Sequence, residues 1–384
     1  MDDEGAWWAG AEFSTRNFYK RRSCANVATL GAVEKKESRG TLARCHPPTV
    51  SMFAYYVHSL SPFIVRFNER FGLHWYGFAY VLAFVVGYWV YHRLAQRGYG
   101  PLRPAQVGDF ITLAAVCGVM LGGRLGWIIF YGWEKVSAHP LEALKLWEGG
   151  MSSHGGILGL FFFTLVYARI MRVSWPGVGD NLVVVAPIGL FFGRLANFVN
   201  GELWGRIVPG AAPAGPGPWW AMQFPKELVD GGATPELQTA AVTAAHAVDP
   251  QIFSVADAVA AAYADPRVRA ALGNVLPPRY PSQLIEAALE GVVLFTVLWL
   301  IRTRLRTPAG VLTGVFFIGY AALRIVGEKF REPDFGIPFT LGLTRGQFLS
   351  TFMFLIGAGF IVYAYLRPRY FTPDSTSVAA SSTR

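Results

Sequence analysis

Residues 180–206 read DNLVVVAPIGLFFGRLANFVNGELWGR, an apolar run that ends in a dense group of polar side chains. A helix needs about 20 apolar residues to cross the hydrocarbon core of a bilayer, and residues 180–200 reach that length. Burying an arginine in such a helix costs roughly 2.5–3.5 kcal/mol even on lenient insertion scales, so Arg194 needs a partner or a function. This stretch therefore predicts a membrane-spanning helix with a polar site at its end.

Six other stretches have the same length and apolar character. With 180–200 they predict an all-α polytopic membrane protein of about seven transmembrane helices, over 75–92, 108–131, 154–172, 180–200, 284–302, 310–330 and 347–366. The composition agrees, because 53% of the residues are hydrophobic and 15% are charged, whereas soluble domains carry about 25% charged residues. The net charge of +9 does not indicate nucleic acid, since most lysines and arginines flank the apolar runs. We expect no nucleic-acid partner.

The basic residues in the short loops predict the orientation. Arginines follow the first, third, fifth and seventh spans, so these four regions fall on one side of the bundle. The loop after the second span carries only Lys135 and Lys145, which three glutamates offset. Because positive residues concentrate in cytoplasmic loops, we expect a cytoplasmic C-terminus, with the polar end of the fourth span toward the periplasm.

The remaining segments divide the chain. We predict an N-terminal extension, a transmembrane domain and a cytoplasmic tail, over 1–51, 52–368 and 369–384. The extension has no apolar run and no helical period. We therefore expect it to be disordered, or, if translation starts at Met52, to be absent from the mature protein. Inside the transmembrane domain, the long connection 206–283 predicts a periplasmic cap, with alanine-rich helical pieces near 238–248 and 254–272.

The end of the fourth span is rich in hydrogen-bond donors. Arg194, Asn197 and Gly201 share one helical face by their i, i+3, i+7 spacing. A guanidinium with amides nearby suits a phosphodiester, because the arginine fork matches two phosphate oxygens. The alternative is a polar clamp that only holds two helices together.

The sixth span carries a polar stripe. Tyr320, Arg324 and Glu328 lie at i, i+4 and i+8, and Arg331 follows on the same side. Such a stripe is expensive in lipid, so we expect it to face the bundle interior or a cavity. Arg324 and Glu328 could simply neutralise each other; a surplus of positive charge around them favours an anionic ligand.

The third span begins with His154, Gly155 and Gly156. A histidine titrates near neutral pH and is a candidate general base, although an interfacial histidine is more often structural. Two glycines let a backbone or a ligand approach closely, and N–H groups at a helix start attract phosphate.

The second span contains Gly122, Arg124 and Gly126. The two glycines form a small-xxx-small face of the kind that packs transmembrane helices closely. Arg124 either adds charge to the same pocket or extends toward the interface.

Motifs for several other chemistries are absent from the sequence. It contains no GxxxxGK[ST], HExxH or GxSxG, and its three cysteines form no CxxC pair. We therefore expect no metal site and no cofactor.

Residues 193–206 resemble the signature segment of the prolipoprotein diacylglyceryl transferase family, which runs Gly-Arg, a small residue, Asn-Phe, then Asn-Gly-Glu and a glycine. Other blocks of that family follow in the expected order, at 73–77, 121–126, 149–156, 281–284 and 320–334. The resemblance covers roughly 55–368. The chain departs from the family at Tyr280 and Ile285, where histidine and tyrosine are usual, and this puts a catalytic role for that loop in doubt.

The resemblance implies an enzyme of the bacterial inner membrane that works at the periplasmic side. Its partners would be phosphatidylglycerol, prolipoprotein signal peptides with a lipobox cysteine, and membrane lipids. It would move the sn-1,2-diacylglyceryl group to the cysteine thiol, forming a thioether and releasing glycerol phosphate. The rivals are a transporter or channel for an anionic lipid or metabolite, and a non-catalytic scaffold.

By the same resemblance, Arg194 and Arg324 would hold the phosphate, and His154 would be the base. Glu328 would fix the rotamer of Arg324. Asn197, Asn200 and Glu202 would bind the headgroup hydroxyls or orient the arginines. The full set of expected substrate-binding residues is Tyr76, Arg124, Gly155, Gly156, Asn197, Asn200, Glu202, Gly205, Tyr320, Glu328 and Arg331.

Overall fold

The computed structural model describes residues 55–67, 72–145, 149–333 and 345–371. The predicted extension 1–51 lies outside the described residues, as does the predicted tail beyond Phe371.

Within the described ranges the protein is mostly helical. The helices, in chain order, are α1 (Trp75–Gln96), α2 (Pro104–Ala138), α3 (Ser153–Ile170), α4 (Trp175–Val199), α5 (Pro235–His246), α6 (Val255–Ala264), α7 (Pro266–Gly273), α8 (Ser282–Arg304), α9 (Val311–Gly327) and α10 (Arg345–Leu366). A helix occupies each of the seven stretches predicted as spans. Two helices contain π-helical segments, which are Ala114–Met120 and Ile128–Gly132 in α2 and Ala287–Val293 in α8.

Five of these helices are long and apolar enough to cross a membrane, namely α1, α2, α4, α8 and α10. The apolar stretches His154–Ile170 and Val311–Gly327, in α3 and α9, are shorter. The predicted membrane protein with apolar helices is therefore confirmed, while the number of crossings stays a prediction.

The central helix of the bundle is α4, which packs against α1, α3, α8 and α9. The core at these contacts is made of aliphatic and aromatic side chains, including Tyr91, Leu94, Phe110, Val184, Leu294, Leu298 and Leu312. Because α4 touches four neighbours, residues at its two ends can meet side chains from several helices.

Glycines bring α2 and α3 into backbone contact. A Cβ on Gly122 would come within 2.7 Å of the Gly155 carbonyl oxygen and of the Gly159 Cα. A Cβ on Gly126 would lie 2.5 Å from the Gly155 Cα. No side chain fits at such a crossing, so the predicted packing face is confirmed.

Two small strand pairs lie outside the helices. Strand β1 (Tyr56–Val57) pairs in parallel with β4 (Met222–Gln223), and β2 (Phe63–Arg66) pairs antiparallel with β3 (Gly72–His74), just before α1. The first pair joins the start of the described chain to the connection between α4 and α8.

That connection forms a small helical unit, here called the head. Its helices α5 to α7 bury a separate core, made of Leu228, Ala241, Ala245, Ile252, Ala258, Val259, Ala262, Val268, Leu272 and Leu276. The predicted alanine-rich helices are confirmed, but the piece over 254–272 is two helices. Pro266 cannot continue α6, and Asp265 instead accepts the Arg267 N–H at the start of α7 (2.8 Å).

Candidate active site

Arg194, near the end of α4, reaches two carboxylates on α8. Its Nη1 lies 3.0 Å from Glu286 Oε2. Its Nε and Nη2 donate to Glu290 Oε2 at 3.2 and 3.0 Å. The guanidinium is therefore bound on two sides by glutamates that lie one turn apart on the neighbouring helix.

Arg324, on α9, reaches the same two carboxylates from another direction. Its Nη1 lies 3.3 Å from Glu286 Oε1 and 3.5 Å from Glu290 Oε1. Its Nε lies 3.4 Å from Glu328 Oε1, so the predicted contact between Arg324 and Glu328 is confirmed. Helices α4, α8 and α9 thus meet in one group of five charged side chains, which we call the arginine–glutamate cluster (Arg194, Glu286, Glu290, Arg324 and Glu328).

The burial within this cluster is unequal. The side chains of Arg194 and Arg324 keep 14% and 15% of their surface exposed, whereas Glu286 and Glu290 keep 1% and 0%. The glutamates therefore lie behind the arginines, and the exposed part of each guanidinium is available to a ligand. Charged pairs in a low-dielectric interior need such close partners, because an unpaired buried charge is strongly destabilising.

The expected surplus of positive charge is wrong for the cluster itself. It contains two guanidinium groups and three carboxylates. The physical reason is the pair of glutamates on α8. Their negative charges neutralise those of the arginines in a part of the bundle from which water is largely excluded. An anion can still bind by contacting the outward N–H groups, but a net positive field from these five side chains does not attract it.

The start of α8 is tied to the signature segment, which fixes where its glutamates point. Ser282 Oγ donates to the Leu203 carbonyl at 2.8 Å, and Gln283 Nε2 donates to the Glu202 carbonyl at 2.7 Å. The π-helical segment Ala287–Val293 begins directly after Glu286, and such wide turns often occur at functional sites. The loop whose catalytic role was in doubt therefore supports the site through two side-chain hydrogen bonds to the backbone of the signature segment.

A chain of polar groups runs beside the cluster. Asn197 Nδ2 donates to Tyr76 Oη at 2.9 Å and to Glu202 Oε1 at 3.3 Å. Asn200 Nδ2 donates to the same oxygen of Glu202 at 3.1 Å, and Lys226 Nζ lies 4.0 Å from the other. Tyr76, Asn197, Asn200 and Glu202 are thus brought together as expected. The hydrogen-bonded partners of the arginines are Glu286, Glu290 and Glu328, and whether this polar chain binds the headgroup or also orients the arginines stays a prediction.

Gly205 lies where two backbones cross. Its N–H donates to the Tyr280 carbonyl at 3.1 Å, and a Cβ there would collide with that carbonyl and lie 2.6 Å from the Phe330 carbonyl oxygen. Gly205 also forms an isolated bridge with Arg331. These contacts explain why a glycine is required at position 205. Contact of Gly205 with the substrate stays a prediction.

Tyr320 and Arg331 flank the cluster. Tyr320 lies close to Arg194, Arg324 and Glu290, and its ring stacks on Phe316 at 6.0 Å. The carbonyl of Arg331 accepts a hydrogen bond from Arg206 Nε at 3.0 Å. The stripe on the sixth span therefore faces the bundle interior at Tyr320, Arg324 and Glu328.

His154 is the second residue of α3 and its side chain is exposed. Among the described residues it makes no hydrogen bond or ion pair, so its role as a base stays a prediction. The close approach expected at Gly155 is made by the backbone of α2. A Cβ on Gly156 would meet Val119 only at an ordinary distance, 3.5 Å from its carbonyl oxygen. Ligand contact at the two glycines also stays a prediction.

Arg124 is held by backbone carbonyls of the segment between α2 and α3. Its guanidinium donates to Ala143 at 3.0 Å, to Gly149 at 2.7 Å, and also to Glu142. The Trp127 ring lies beneath it, with 4.6 Å from Cζ to the ring centroid. Arg124 therefore orders this segment, and none of its hydrogen bonds reaches the arginine–glutamate cluster.

Reasoning from the sequence missed the two glutamates on α8. Glu286 and Glu290 lie in an apolar stretch, and intramembrane carboxylates are rare enough to mark functional sites by themselves. Counting acidic as well as basic residues in the spans would have found them. Their partner could not be read from the sequence, since Glu290 lies 96 residues from Arg194.

A buried histidine near the signature segment was also missed. His58 is fully buried, stacks on Phe224 at 5.6 Å, and its Nδ1 lies 3.3 Å from Tyr263 Oη. Burial lowers the pKa of His58 to about 4, while a hydrogen bond with the Phe198 backbone acts in the opposite direction. The neutral imidazole joins the head to the end of α4.

These features define a polytopic helical membrane protein whose central helices meet in a buried, partly accessible arginine–glutamate cluster. A family model for prolipoprotein diacylglyceryl transferase matches residues 62–363, and the chain belongs to that family. Similar proteins named phosphatidylglycerol–prolipoprotein diacylglyceryl transferase occur in Rhodospirillum centenum (40% identical, covering 85% of this chain and 95% of the relative), Rhodospirillum rubrum (38%, covering 82% and 96%) and Paraburkholderia phymatum (40%, covering 76% and 89%).

Proposed function

We propose that this chain transfers the sn-1,2-diacylglyceryl group from phosphatidylglycerol to the lipobox cysteine of prolipoproteins. The cysteine sulfur attacks the glyceryl carbon that bears the phosphate ester. A C–S bond forms, the C–O bond to phosphate breaks, and glycerol phosphate leaves with the bonding electron pair. The thiol proton passes to a base, so the products are a thioether-linked lipid and glycerol phosphate.

One observation carries the assignment of the site. Arg194 and Arg324 come from different helices, share Glu286, and each keep part of the guanidinium exposed. Two forks held side by side suit the phosphate oxygens of a lipid headgroup. Because the developing charge on the leaving phosphate lies where little water is available, preorganised donors at this place lower the barrier.

The buried glutamates act as positioning residues. Glu286 and Glu290 are too deep to contact substrate, but they fix both guanidinium groups in one geometry. Support of this kind is what keeps contacting groups in their productive orientation. The chain of Tyr76, Asn197 and Glu202 lies beside the cluster and offers donors and acceptors for the hydroxyls of the glycerol headgroup.

The thiol must lose its proton, because the thiolate is the reactive form and a free cysteine has a pKa near 8.5. His154 is the proposed base. It lies exposed at the start of α3, where an imidazole is accessible to an incoming peptide.

The proposed topology has seven crossings, with the site and the head in the periplasm and the C-terminus in the cytoplasm. The arginines after α1, α3, α8 and α10 support it, because they all fall on one side. The proposed domain division is an extension over 1–51, a transferase domain over 52–368 that includes the head at 206–283, and a tail over 369–384.

The decisive experiment supplies purified full-length protein with phosphatidylglycerol and a lipobox peptide. A thioether adduct and an equal amount of glycerol phosphate are expected. A peptide with serine in place of the cysteine is the control and gives neither product. Transport of phosphatidylglycerol across vesicles without any adduct would favour the transporter alternative instead.

A variant tests the base. His154→Asn is expected to lower turnover while leaving the affinity for phosphatidylglycerol near that of the wild type, because the base acts only on the thiol. The pH dependence of the rate is the measurement. A profile identical to that of the wild type removes His154 from this role.

The topology can be tested with an impermeant thiol reagent on intact cells. In a background with the three native cysteines replaced by serine, Thr239→Cys in the head is expected to react, and Arg304→Cys, at the last residue of α8, is expected to be protected. The reverse pattern contradicts the orientation.

A further inference from the structure

A cationic pocket lies at the opposite end of α4 from the arginine–glutamate cluster. Its walls are the start of α4, the turn before α9 and the end of α10; the lining includes Ser174, Trp175, Ala309, Tyr363, Arg367 and Arg369. The cavity measures about 210 Å³, whereas one water needs about 10–15 Å³ on the same measure. About 28 Å of helix separates Trp175 from Arg194 at 1.5 Å per residue, so the two sites are distinct.

The chain after α10 is held against this pocket by its backbone. The Ala309 N–H donates to the Arg369 carbonyl at 2.7 Å, and Pro308 forms an isolated bridge with Tyr370. The ring of Phe371 lies so close to Gly177 that a Cβ there would come within 2.6 Å of it. Arg369 is therefore fixed at the cavity wall and does not lie on a frayed helix end.

The two arginines of the pocket differ from those of the active site in their partners. Over the described parts of the chain, neither Arg367 nor Arg369 forms a side-chain hydrogen bond or ion pair, and both are exposed. In the arginine–glutamate cluster each guanidinium has carboxylate partners. Two guanidinium groups beside one cavity, neither of them paired with a carboxylate of the described residues, favour an anion with several oxygens.

The aromatic residues of the pocket indicate where that anion comes from. Trp175 is held in place because its Nε1 donates to Thr164 Oγ1 at 3.2 Å and its ring meets Phe360 at 5.8 Å. Tyr363 is 48% exposed on α10. Tryptophan and tyrosine are enriched at the level of lipid headgroups, and basic pockets between transmembrane helices bind anionic headgroups.

We propose that this pocket binds the phosphodiester headgroup of an anionic phospholipid from the leaflet at the start of α4. The first turn of α4 adds the positive end of a helix dipole. Arginines that only extend toward water from a helix end would need no walled cavity and no pinned backbone. The bound lipid is a second one, separate from the substrate, and it holds α4, α9 and α10 together.

The experiment places a photoreactive phenylalanine analogue at Tyr363 in the full-length protein in detergent. Irradiation with phosphatidylglycerol or with phosphatidylcholine, at equal concentration, is followed by mass spectrometry of the adduct. We expect the phosphatidylglycerol adduct to dominate. In the double variant Arg367→Gln, Arg369→Gln it should fall at least about tenfold, because both charge-assisted contacts to the headgroup are lost.

The matched control is Arg304→Gln with Arg306→Gln, which removes two exposed charges from the end of α8 and the turn that follows it and should leave the adduct unchanged. Transferase activity of the Arg367 and Arg369 double variant reports that it is folded. Equal adducts with both lipids, or no loss in that double variant, would overturn the proposal. Competition by millimolar inorganic phosphate that abolishes the adduct would assign the pocket to free phosphate and overturn the lipid assignment.

Discussion

The two ends of α4 both carry buried charge, but they use it differently. At the start, Asp180 is fully buried and accepts from the Gly310 N–H, the Thr313 N–H and the Thr313 hydroxyl at 2.8–2.9 Å. At the other end, Arg194 pairs with side chains only and keeps part of its surface exposed. Backbone partners cannot be exchanged without unfolding the turn, whereas side-chain partners can rearrange around a ligand. The comparison separates charge that holds the fold from charge that serves the reaction.

A buried arginine near Asp180 strengthens this contrast. Arg302, at the end of α8, is 3% exposed, lies with Cζ 5.3 Å from the centroid of the Tyr99 ring, and interacts electrostatically with Asp180. Asn181 on the same turn donates to the Tyr99 carbonyl at 2.6 Å. This end joins α1, α4, α8 and the turn before α9, and neither Asp180 nor Arg302 has an exposed part comparable to that of the guanidinium groups in the active site.

The largest effect is expected from Arg194→Lys. A lysine supplies a point charge but not the fork that contacts both glutamates and phosphate, so transfer should fall by at least about 100-fold, the loss typical when one stabilising donor is removed. The measurement is kcat/KM for thioether formation. Arg169→Lys, on an exposed face at the end of α3, is the matched control. A wild-type rate for Arg194→Lys would contradict the phosphate role.

At the opposite end, Asp180→Asn should act on stability. It weakens three hydrogen bonds and leaves Arg302 buried without its counter-charge, which typically costs about 3 kcal/mol or more. The free energy of unfolding in mixed micelles is the measurement, and activity per folded molecule should stay unchanged. Adding Arg302→Met should recover part of the loss. A reduced kcat in the folded fraction would contradict the view that Asp180 serves stability while Arg194 serves the reaction.

A smaller effect is expected from Glu286→Gln. The cluster then holds two guanidinium groups and two carboxylates, so its charge becomes balanced, but the shared anchor of Arg194 and Arg324 is weakened. We expect kcat to fall roughly 10–100-fold, as for lost support of a contacting group, with KM for phosphatidylglycerol equal or lower. A rise in KM alone, at constant kcat, would mean that Glu286 contributes to lipid binding only.

The sequence predicts the helices better than the contacts between them. Apolar length places α1, α4, α8 and α10 within a few residues, because that signal is local. The glycines at 122 and 126 reveal a close crossing for the same reason. The pairing of β1 with β4 joins Tyr56 to Met222 through two-residue strands, which leave no periodicity to detect.

The sequence predicts several residues of the site but not which of them contact one another. Arg194, Arg324 and Glu328 stand out because charge is rare in apolar helices, yet their grouping around Glu286 depends on how α4, α8 and α9 pack. Hydrogen bonds from Ser282 and Gln283 set the start of α8, and nothing local in the sequence encodes those partners. Arg124 shows the limit of prediction from residue type alone. An arginine can bind an anionic ligand or backbone carbonyls, and here it binds the carbonyls.

The smallest expected effect concerns the junction between α4 and the head. His58 has a pKa lowered to about 4 from 6.5, so the unfolded chain binds the proton more tightly than the folded one. Stability from this group is complete above pH 6.5 and is lost as the pH falls toward 4. Between pH 7 and pH 5 the loss should be about 2 kcal/mol. Tyr263 and the stacked Phe224 ring face the imidazole, and burial raises the pKa of Tyr263 to about 12, so this tyrosine stays uncharged in the range.

Thermal unfolding in detergent across this pH range is the measurement, with His58→Phe as the variant. A phenyl ring keeps the stacking on Phe224 and cannot take up a proton, so the slope between pH 7 and pH 5 should flatten. His246→Gln is the matched control, because His246 is an exposed histidine of the head and should leave the slope intact. If His58→Phe keeps the full slope, the acid sensitivity comes from another group and the neutral imidazole does not govern this junction.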